Sequence, residues 1–404
     1  MKVLVFNCGS STLKFQLVEV SPLGAAGPKT RSLARGLVDR IGENATSSFA
    51  RGGGKPRREP VAIENHEQAV EEVLGWLAQG RDGAPWEFDA VGHRVVHGGD
   101  RFRTSVLIDD EVLEALEALS DLAPLHNPAC VSAIRAARRA LGASMPMVAA
   151  FDTSFHHTVP DSAATYAIPY ELTVRHKIRR YGFHGLAHHY LALRYAELAH
   201  RPEDQVDLIT LHLGNGCSAA AIRGGRSVET SMGFTPLEGL VMGTRSGDLD
   251  PAIVGFLSKK ERLSVAEVEA LLNERSGLLG ISGRSKDMRE LLQRAPSDAR
   301  SGLAVEIFCH RARKYLGAYL AVLGGADALI FSGGIGENSP EVRAQICAGM
   351  DWCGLQLDPE LNQSRIGTEG LISPATAELP AYVIPVDEER VIALETLRLV
   401  VKSK

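Results

Sequence analysis

The stretch VLVFNCGSSTLKFQLVEV, residues 3–20, decides how the rest of the chain is understood. Val3 to Phe6 form a short apolar run of the kind that becomes a buried strand. Leu13, Phe15 and Leu17 then alternate with Lys14, Gln16 and Val18 as a second strand does. Between them lie Asn7, Cys8, Gly9, Ser10 and Ser11. Such a turn is either a plain hairpin tip or a cradle for an anion. Gly and Ser suit a turn sterically, but they also leave backbone N–H groups and hydroxyls accessible, with Lys14 on the strand face of Thr12. The remainder of the chain has to separate the two.

A chain of 404 residues exceeds one ordinary core and predicts two domains. Hydrophobic residues at 45% and charged residues at 23% are globular values. Lys and Arg total 44 against 49 acids, a net charge of −5, which excludes a broad positive field for nucleic acid and favours small-molecule partners. The cysteines, Cys8, Cys130, Cys217, Cys309, Cys347 and Cys353, form no C-x-x-C pair, so neither a zinc knuckle nor a redox motif is expected. Reduced thiols in a cytoplasmic protein fit best. The N-terminus lacks a basic region followed by a long apolar stretch, and no segment is long enough to span a bilayer, so no membrane partner is expected.

Helical patterns alternate with short apolar strands, which predicts an α/β protein. The Gly-rich, basic segment 44–60 is expected to be a solvated hairpin loop. Asp109 or Asp110 caps a helix through Leu119, and Asn127 with Pro128 starts another. Further helices are predicted over 264–273 and 303–323, the latter apolar on most faces and therefore expected to be buried. The strand-like runs at 91–99, 145–156, 207–216, 327–338 and 381–389 each pass from apolar residues into Gly, Asp, His, Arg or Asn. Ligands of open α/β sheets bind beyond the carboxyl ends of strands, so these ends suggest one shared cleft. A weak internal repeat relates VLVFNCGSSTLKFQL to LITLHLGNGCSAAAI: each sets a polar, Gly-containing turn between apolar strands. Two such phosphate grips, one per domain across a cleft, resemble the superfamily of acetate and sugar kinases, heat-shock chaperone ATPases and actin.

No familiar nucleotide motif is present in its usual form. GGGKP has Pro56 where a P-loop needs Ser or Thr, and Phe49 where its first Gly belongs. GGIGENS offers Gly334 and Gly336 but places Ser339 at the third glycine, so the dinucleotide fingerprint fails and a nicotinamide dehydrogenase becomes a remote alternative. Residues 333–338 are either backbone approaching a flat ligand or a tight strand-to-helix turn, with Pro340 starting the next helix. His93 with His97, and His184 with His188, share i, i+4 spacing, but no H-E-x-x-H occurs and the first pair lies on a strand, so zinc is not expected. Magnesium needs few protein oxygens, and Asn7 and Glu388 at strand ends would suffice. Arg94 inside an apolar strand and Arg245 in the loop MGTRSGDLDP are either buried ion pairs or guanidinium clamps for a carboxylate or phosphoryl group.

With NCGSSTLKF, GHRVVHGG, PLHNP, FDTSFHHTVP, RRYGFHGLAHHY, HLGNGCS, FTPLEGLVMGTRSGDLDP, FSGGIGENS and VIPVDEER in order, the chain closely resembles the acetate kinase family over essentially its whole length. The resemblance implies an α/β fold of two duplicated ribonuclease-H-like domains of the actin-like ATPase superfamily facing a central cleft, here 1–151 plus 386–404 and 152–385. It implies reversible transfer of the γ-phosphoryl of ATP to acetate, giving acetyl phosphate and ADP, in a cytoplasmic homodimer. By the same resemblance Asn7 and Glu388 hold Mg²⁺, with Mn²⁺ as an alternative, and Ser10, Thr12 and Lys14 meet the nucleotide phosphates. Arg94 binds the substrate carboxylate, Arg245 and His184 stabilise the transferring phosphoryl group, and Asp152 is the essential acid. His212, Leu213, Gly214, Asn215 and Gly216, then Asp287, Met288 and Arg289, then Gly334, Ile335, Gly336, Glu337 and Asn338 line the nucleotide. Val96, Leu125, Phe183 and Pro236 wall the acetate methyl.

A carboxylic acid with a pKa of about 4 is already ionised at neutral pH, so Asp152 is expected to orient Arg245 or a metal-bound water rather than act as a base. Thr12 stands where the family more usually has Ser, Leu186-Ala187 where Thr-Ser is common, Arg284 and Lys286 where small or apolar residues are usual, and Met288 at an often aromatic place. Val96 should disfavour a longer acyl chain by about 1 to 3 kcal/mol per methylene. The alternatives are a propionate or butyrate kinase and, from another class, a nucleotide-binding regulator without acyl kinase activity; a carboxylate clamp argues against the regulator. On this reading the opening turn is a cradle.

Overall fold

A computed structural model of the chain describes residues 1–21, 29–80, 84–122 and 127–402. It divides into two compact units, one of residues Met1–Phe155 with Asp387–Lys404 and one of His156–Val386. Asp152, which the sequence boundary assigns to the second domain, belongs to the first unit. Its backbone N–H donates to Val95 O at 3.0 Å, continuing the ladder of the preceding strand.

The first unit is built on a sheet of β1 (Lys2–Cys8), β2 (Thr12–Val20), β3 (Thr30–Asp39), β4 (Thr46–Arg51), β5 (Arg57–Pro60), β6 (Ala90–Val95), β7 (Val106–Leu107) and β8 (Met147–Phe151). Its order is β5-β4-β3-β2-β1-β6-β8-β7. β1, β6 and β8 run parallel, and the hairpin strands pair antiparallel. The three parallel strands are almost wholly buried, as strands covered on both faces must be. The second unit carries β9 (Leu208–Leu213), β10 (Cys217–Arg223), β11 (Arg226–Thr230), β12 (Ala328–Ser332), β13 (Gly370–Leu371) and β14 (Ala381–Val383), in the order β11-β10-β9-β12-β14-β13. Here β9, β12 and β14 are parallel. The arrangement β3-β2-β1-β6-β8 is therefore repeated as β11-β10-β9-β12-β14, and the weak sequence repeat marks the same strand-turn-strand in each copy.

The helix Glu388–Lys402 returns the end of the chain to the first sheet. Gly92 makes this close approach possible: a Cβ there would lie 2.6 Å from both Ile392 Cγ2 and Thr396 Oγ1. The segment 44–60 is a strand pair with a short tip, not a loop throughout. Phe49 on β4 turns inward to pack edge-on against Phe15 and Trp76 at 5.2 and 5.3 Å, and that burial draws the segment into the sheet. The helix Ala299–Leu323 buries one stripe, while Leu303 and Val322 face outward; its alanine-rich sequence overstated the buried face. The helix Val265–Glu274 begins with a capping box of Ser264 and Glu267, within the predicted range. None of the helices among the described residues is long and apolar enough to cross a membrane.

Candidate active site

In the first unit the carboxyl ends of β1, β6 and β8 bring Asn7, Arg94 and Asp152 together. Parallel register sets Asn7 beside Arg94 and Arg94 beside Ala150, two residues before Asp152. Arg94 Nε and Nη2 donate to the two carboxylate oxygens of Asp152 at 2.9 and 2.5 Å, and Nη1 donates to Asn7 Oδ1 at 3.0 Å. Asn7 Nδ2 in turn donates to Glu388 Oε2 and Glu389 Oε1, each at 2.9 Å. The Asp152 side chain is 1% exposed and that of Arg94 16%. Burial works against the guanidinium's charge, but Asp152 and then Glu388 more than offset it, and the group is held above its ordinary value. Burial, and then Glu388, push the Glu389 carboxyl upward.

The structure pairs Asp152 with Arg94, a contact the sequence reading did not foresee. The reason is register: β6 and β8 are adjacent, which sequence spacing does not reveal. Asn7 lies within reach of Glu388, as a metal pair requires, but it turns its amide nitrogen toward the carboxylates and its oxygen toward Arg94. Glu389 is the residue that sequence reasoning missed. Its signal was the acidic run Asp387-Glu388-Glu389 at a helix start, where the helix N-terminus favours negative charge. Hard oxygen donors gathered in this way fit a hydrated divalent cation.

The β1–β2 turn is compact: Gly9 N–H donates to Thr12 O, and His66 Nε2 donates to Gly9 O, both at 2.8 Å. Ser10 and Lys14 are exposed on it and Thr12 is half-buried. Val96 follows β6 and is buried. Leu125 lies outside the described residues. Asn127 opens the helix Asn127–Leu141, and its buried amide clasps the His97 backbone, accepting from its N–H at 3.2 Å and donating to its carbonyl at 3.1 Å.

In the second unit the ends of β9 and β12 set two turns side by side. Gly333 has φ +75°, and a Cβ there would meet the Leu213 backbone at 2.6 Å, so only glycine fits. Leu213 is buried, while Gly214, Asn215 and Gly216 form the β9–β10 turn. Residues Gly333–Asn338 form a short helix, not an open loop. It carries Gly334, Ile335 and Gly336. Glu337 Oε1 accepts from Gly333 N at 2.8 Å and Val386 N at 3.3 Å, which makes its carboxylate a clasp for the turn. Asn338 Nδ2 donates to Gly334 O. Asp287 caps the helix Met288–Arg294 and forks onto Arg289; Met288 itself is buried. The hydrogen bonds between Asp287 and Arg289 are local.

Gly216 is flanked by chemistry. A Cβ on it would lie 3.3 Å from His184 Cε1, 3.5 Å from His184 Nε2 and 3.6 Å from Arg245 Nη1. Arg245 Nη1 donates to Pro236 O at 3.3 Å and approaches Met242 Sδ at 3.9 Å. Among the described residues no carboxylate pairs with it, and burial lowers its pKa from the ordinary value. A half-buried guanidinium beside an imidazole, with no carboxylate partner among the described residues, has the chemistry to receive an anion. His212, at the end of β9, meets the His184 ring edge-on at 5.0 Å. Phe183 is buried and its carbonyl accepts from His156 Nε2 at 3.1 Å. The six cysteines are free thiols.

A family model described as the acetokinase family matches residues 2–394. An acetate kinase of Solibacter usitatus is 53% identical over 407 residues, covering 99% of this chain and 98% of that protein. The crystal structure of Porphyromonas gingivalis acetate kinase matches with a TM-score of 0.89 and 39% identity over 99% of both chains. That of a propionate kinase from Francisella tularensis matches with a TM-score of 0.88 and 40% identity, covering 98% of this chain and 99% of that one. The fold is accordingly the actin-like ATPase fold built from ribonuclease-H-like domains.

Proposed function

Because the chain belongs to the acetokinase family, we propose that it transfers the γ-phosphoryl group of ATP reversibly to acetate, giving acetyl phosphate and ADP, directly and in line. The observation that carries this reading is Arg245, a half-buried guanidinium with no carboxylate partner among the described residues, set with His184 around the bare Cα of Gly216. Phosphoryl transfer asks the protein for alignment and for neutral or positive donors around the equatorial oxygens, and this pair supplies both.

Arg94 is suited to hold the acceptor. A guanidinium has five N–H groups; Asp152 and Asn7 take three of those of Arg94. Two remain for a carboxylate, and Asp152 fixes the plane in which they lie. Asp152 acts as an orienter on this account, not as a base. The β1–β2 turn with Ser10, Thr12 and Lys14 receives nucleotide phosphates, and the turns at 212–216 and 334–338, with 287–289, line the nucleotide. Mg²⁺, or Mn²⁺ in its place, would be held by Glu388 with Asn7 and would neutralise phosphate charge when bound. The working unit on this reading is a cytoplasmic homodimer whose domains follow the 1–151 plus 386–404 and 152–385 division closely.

The propionate kinase likeness favours a second reading, in which the acceptor is propionate. Val96, Phe183 and Pro236 set the room for the acyl chain. The deciding experiment traps acyl phosphate as the hydroxamate from MgATP with acetate and with propionate side by side. Acetate-dependent product, lost in Arg94→Ala and Arg245→Ala, is expected. Faster product with propionate would move the assignment to the second reading, and none with either acid would end both.

A further inference from the structure

His184 does not stand alone behind Gly216. Its Nδ1 lies 2.9 Å from Ser218 Oγ, the same hydroxyl lies 2.8 Å from His188 Nε2, and His188 Nδ1 lies 2.7 Å from Thr210 Oγ1. Thr210, His188 and Ser218 are each 0% exposed. The helix Gly185–Leu198 places His188 one turn beyond His184 on the same face, and Ser218 and Thr210 come from the paired strands β10 and β9.

Proton counting leaves two directions for this chain, and the contacts of Thr210 choose between them. His188 is sealed from water beside His156 and His212, so its ring is neutral and carries one N–H. Thr210 has one hydroxyl proton and two places for it: His188 Nδ1 at 2.7 Å or Ala220 O at 3.5 Å. The shorter contact is a normal hydroxyl hydrogen bond and the longer is at the limit of one. Thr210 therefore donates to His188 Nδ1, His188 Nε2–H donates to Ser218, and Ser218 O–H donates to His184 Nδ1. The reverse chain would leave the Thr210 proton only the 3.5 Å contact to Ala220 O.

We infer that Ser218, backed by His188 and Thr210, is a positioning residue that holds His184 as a neutral imidazole with its N–H on Nε2, the nitrogen beside Gly216 and Arg245. In the opposite direction a lone pair would face that seat and repel an anion. The relay also secures a backbone that few residues adopt: His184 sits at φ 57°, ψ 26°, in the left-handed region. This inference rests on the reading of His184 as a donor to the phosphoryl group, and its test separates the two.

The test is ¹⁵N NMR of the full-length protein labelled at histidine, with His184→Asn used to assign the ring signals. It is joined to steady-state kinetics of Ser218→Ala, Ser218→Thr and Thr210→Val. The expected spectrum shows His184 as the Nε2–H tautomer in the parent and a mixture in Ser218→Ala. Expected kinetics are a kcat lower by roughly 10- to 100-fold in Ser218→Ala, with the acetate KM within about twofold and recovery in Ser218→Thr. Should Ser218→Ala fail to fold, the parent spectrum and Thr210→Val still decide. An Nδ1–H tautomer in the parent, or a tautomer indifferent to both substitutions, overturns the relay. A tautomer lost in Ser218→Ala with kcat unchanged overturns the phosphoryl-donor role of His184 while the relay stands.

Discussion

Removing the Asp152 carboxylate should do more than remove one charge. Asp152 is 1% exposed and Arg94 16%, so both charges have given up most of their water and depend on the fork at 2.9 and 2.5 Å. Deleting one partner of such a pair leaves the other uncompensated, at a cost of about 3–5 kcal/mol. Deleting both removes that penalty, so Arg94→Ala with Asp152→Ala should cost no more than the single Asp152→Ala. The coupling in a double-mutant cycle is then at least the cost of the single Arg94→Ala, about 3–5 kcal/mol, well above the roughly 0.5 kcal/mol expected of independent sites. The measurement is urea unfolding of the parent, both single variants and the double variant. Asp152→Asn is a sharper chemical probe: it keeps one acceptor but turns an amide N–H against an Arg94 N–H. It should therefore lower kcat and raise the acetate KM together, because the carboxylate clamp tilts. Additive single substitutions would refute the pair as the support of Arg94.

Gly216→Ala should fold, since the new methyl meets neighbours at 3.3–3.6 Å, but it should reduce kcat at least tenfold by filling the space between His184 and Arg245; kcat compared with the melting temperature checks this. Gly92→Ala should cost about 1–3 kcal/mol in urea unfolding, because its Cβ would sit 2.6 Å from Ile392 and Thr396. Burial holds the His156 imidazole down to about 4, against 6.5 for a free ring. The unfolded chain then binds the proton that the folded one refuses, so stability is full above about pH 6.5 and falls by on the order of 3 kcal/mol as pH drops toward 4; melting temperatures across that window should show it. His93 is buried, with its pKa lowered to about 3, and among the described residues neither ring nitrogen has a partner. His93→Leu should raise the melting temperature and flatten part of the same acid slope.

Much of this was legible before any coordinates. The alternation of Leu13, Phe15 and Leu17 after a Gly-Ser turn gave β1 and β2, and the likeness of 3–17 to 208–222 marked the duplicated hairpin. Arg94 drew attention as a guanidinium in an apolar strand, and Arg245 as one in a glycine-rich loop. What escaped were pairings that depend on strand order. Asp152 meets Arg94 across 58 positions because β6 and β8 are neighbours, and Asn7 meets Glu389 across 382. No local pattern encodes either contact. Ser218 was invisible for the same reason: one hydroxyl between two histidines of another element has no sequence signature, although the i, i+4 pair His184 and His188 was noticed and set aside as a metal site. The segment 44–60 misled because its glycines and arginines hid the inward alternation of Ser47 and Phe49.

The helix Glu388–Lys402 also sets an order of events in synthesis. The first sheet's strands leave the ribosome early, yet the face over Gly92 stays uncovered until Ile392 and Thr396 arrive, and Asn7 waits for Glu388, 381 positions downstream. A growing chain can form the hairpins of the first unit but cannot cover this face of its sheet. For most of translation it therefore exposes apolar surface of the kind chaperones bind. A helix made this late is the one that covers the first unit, so the acidic end of the site is assembled only in a chain that has reached Glu388.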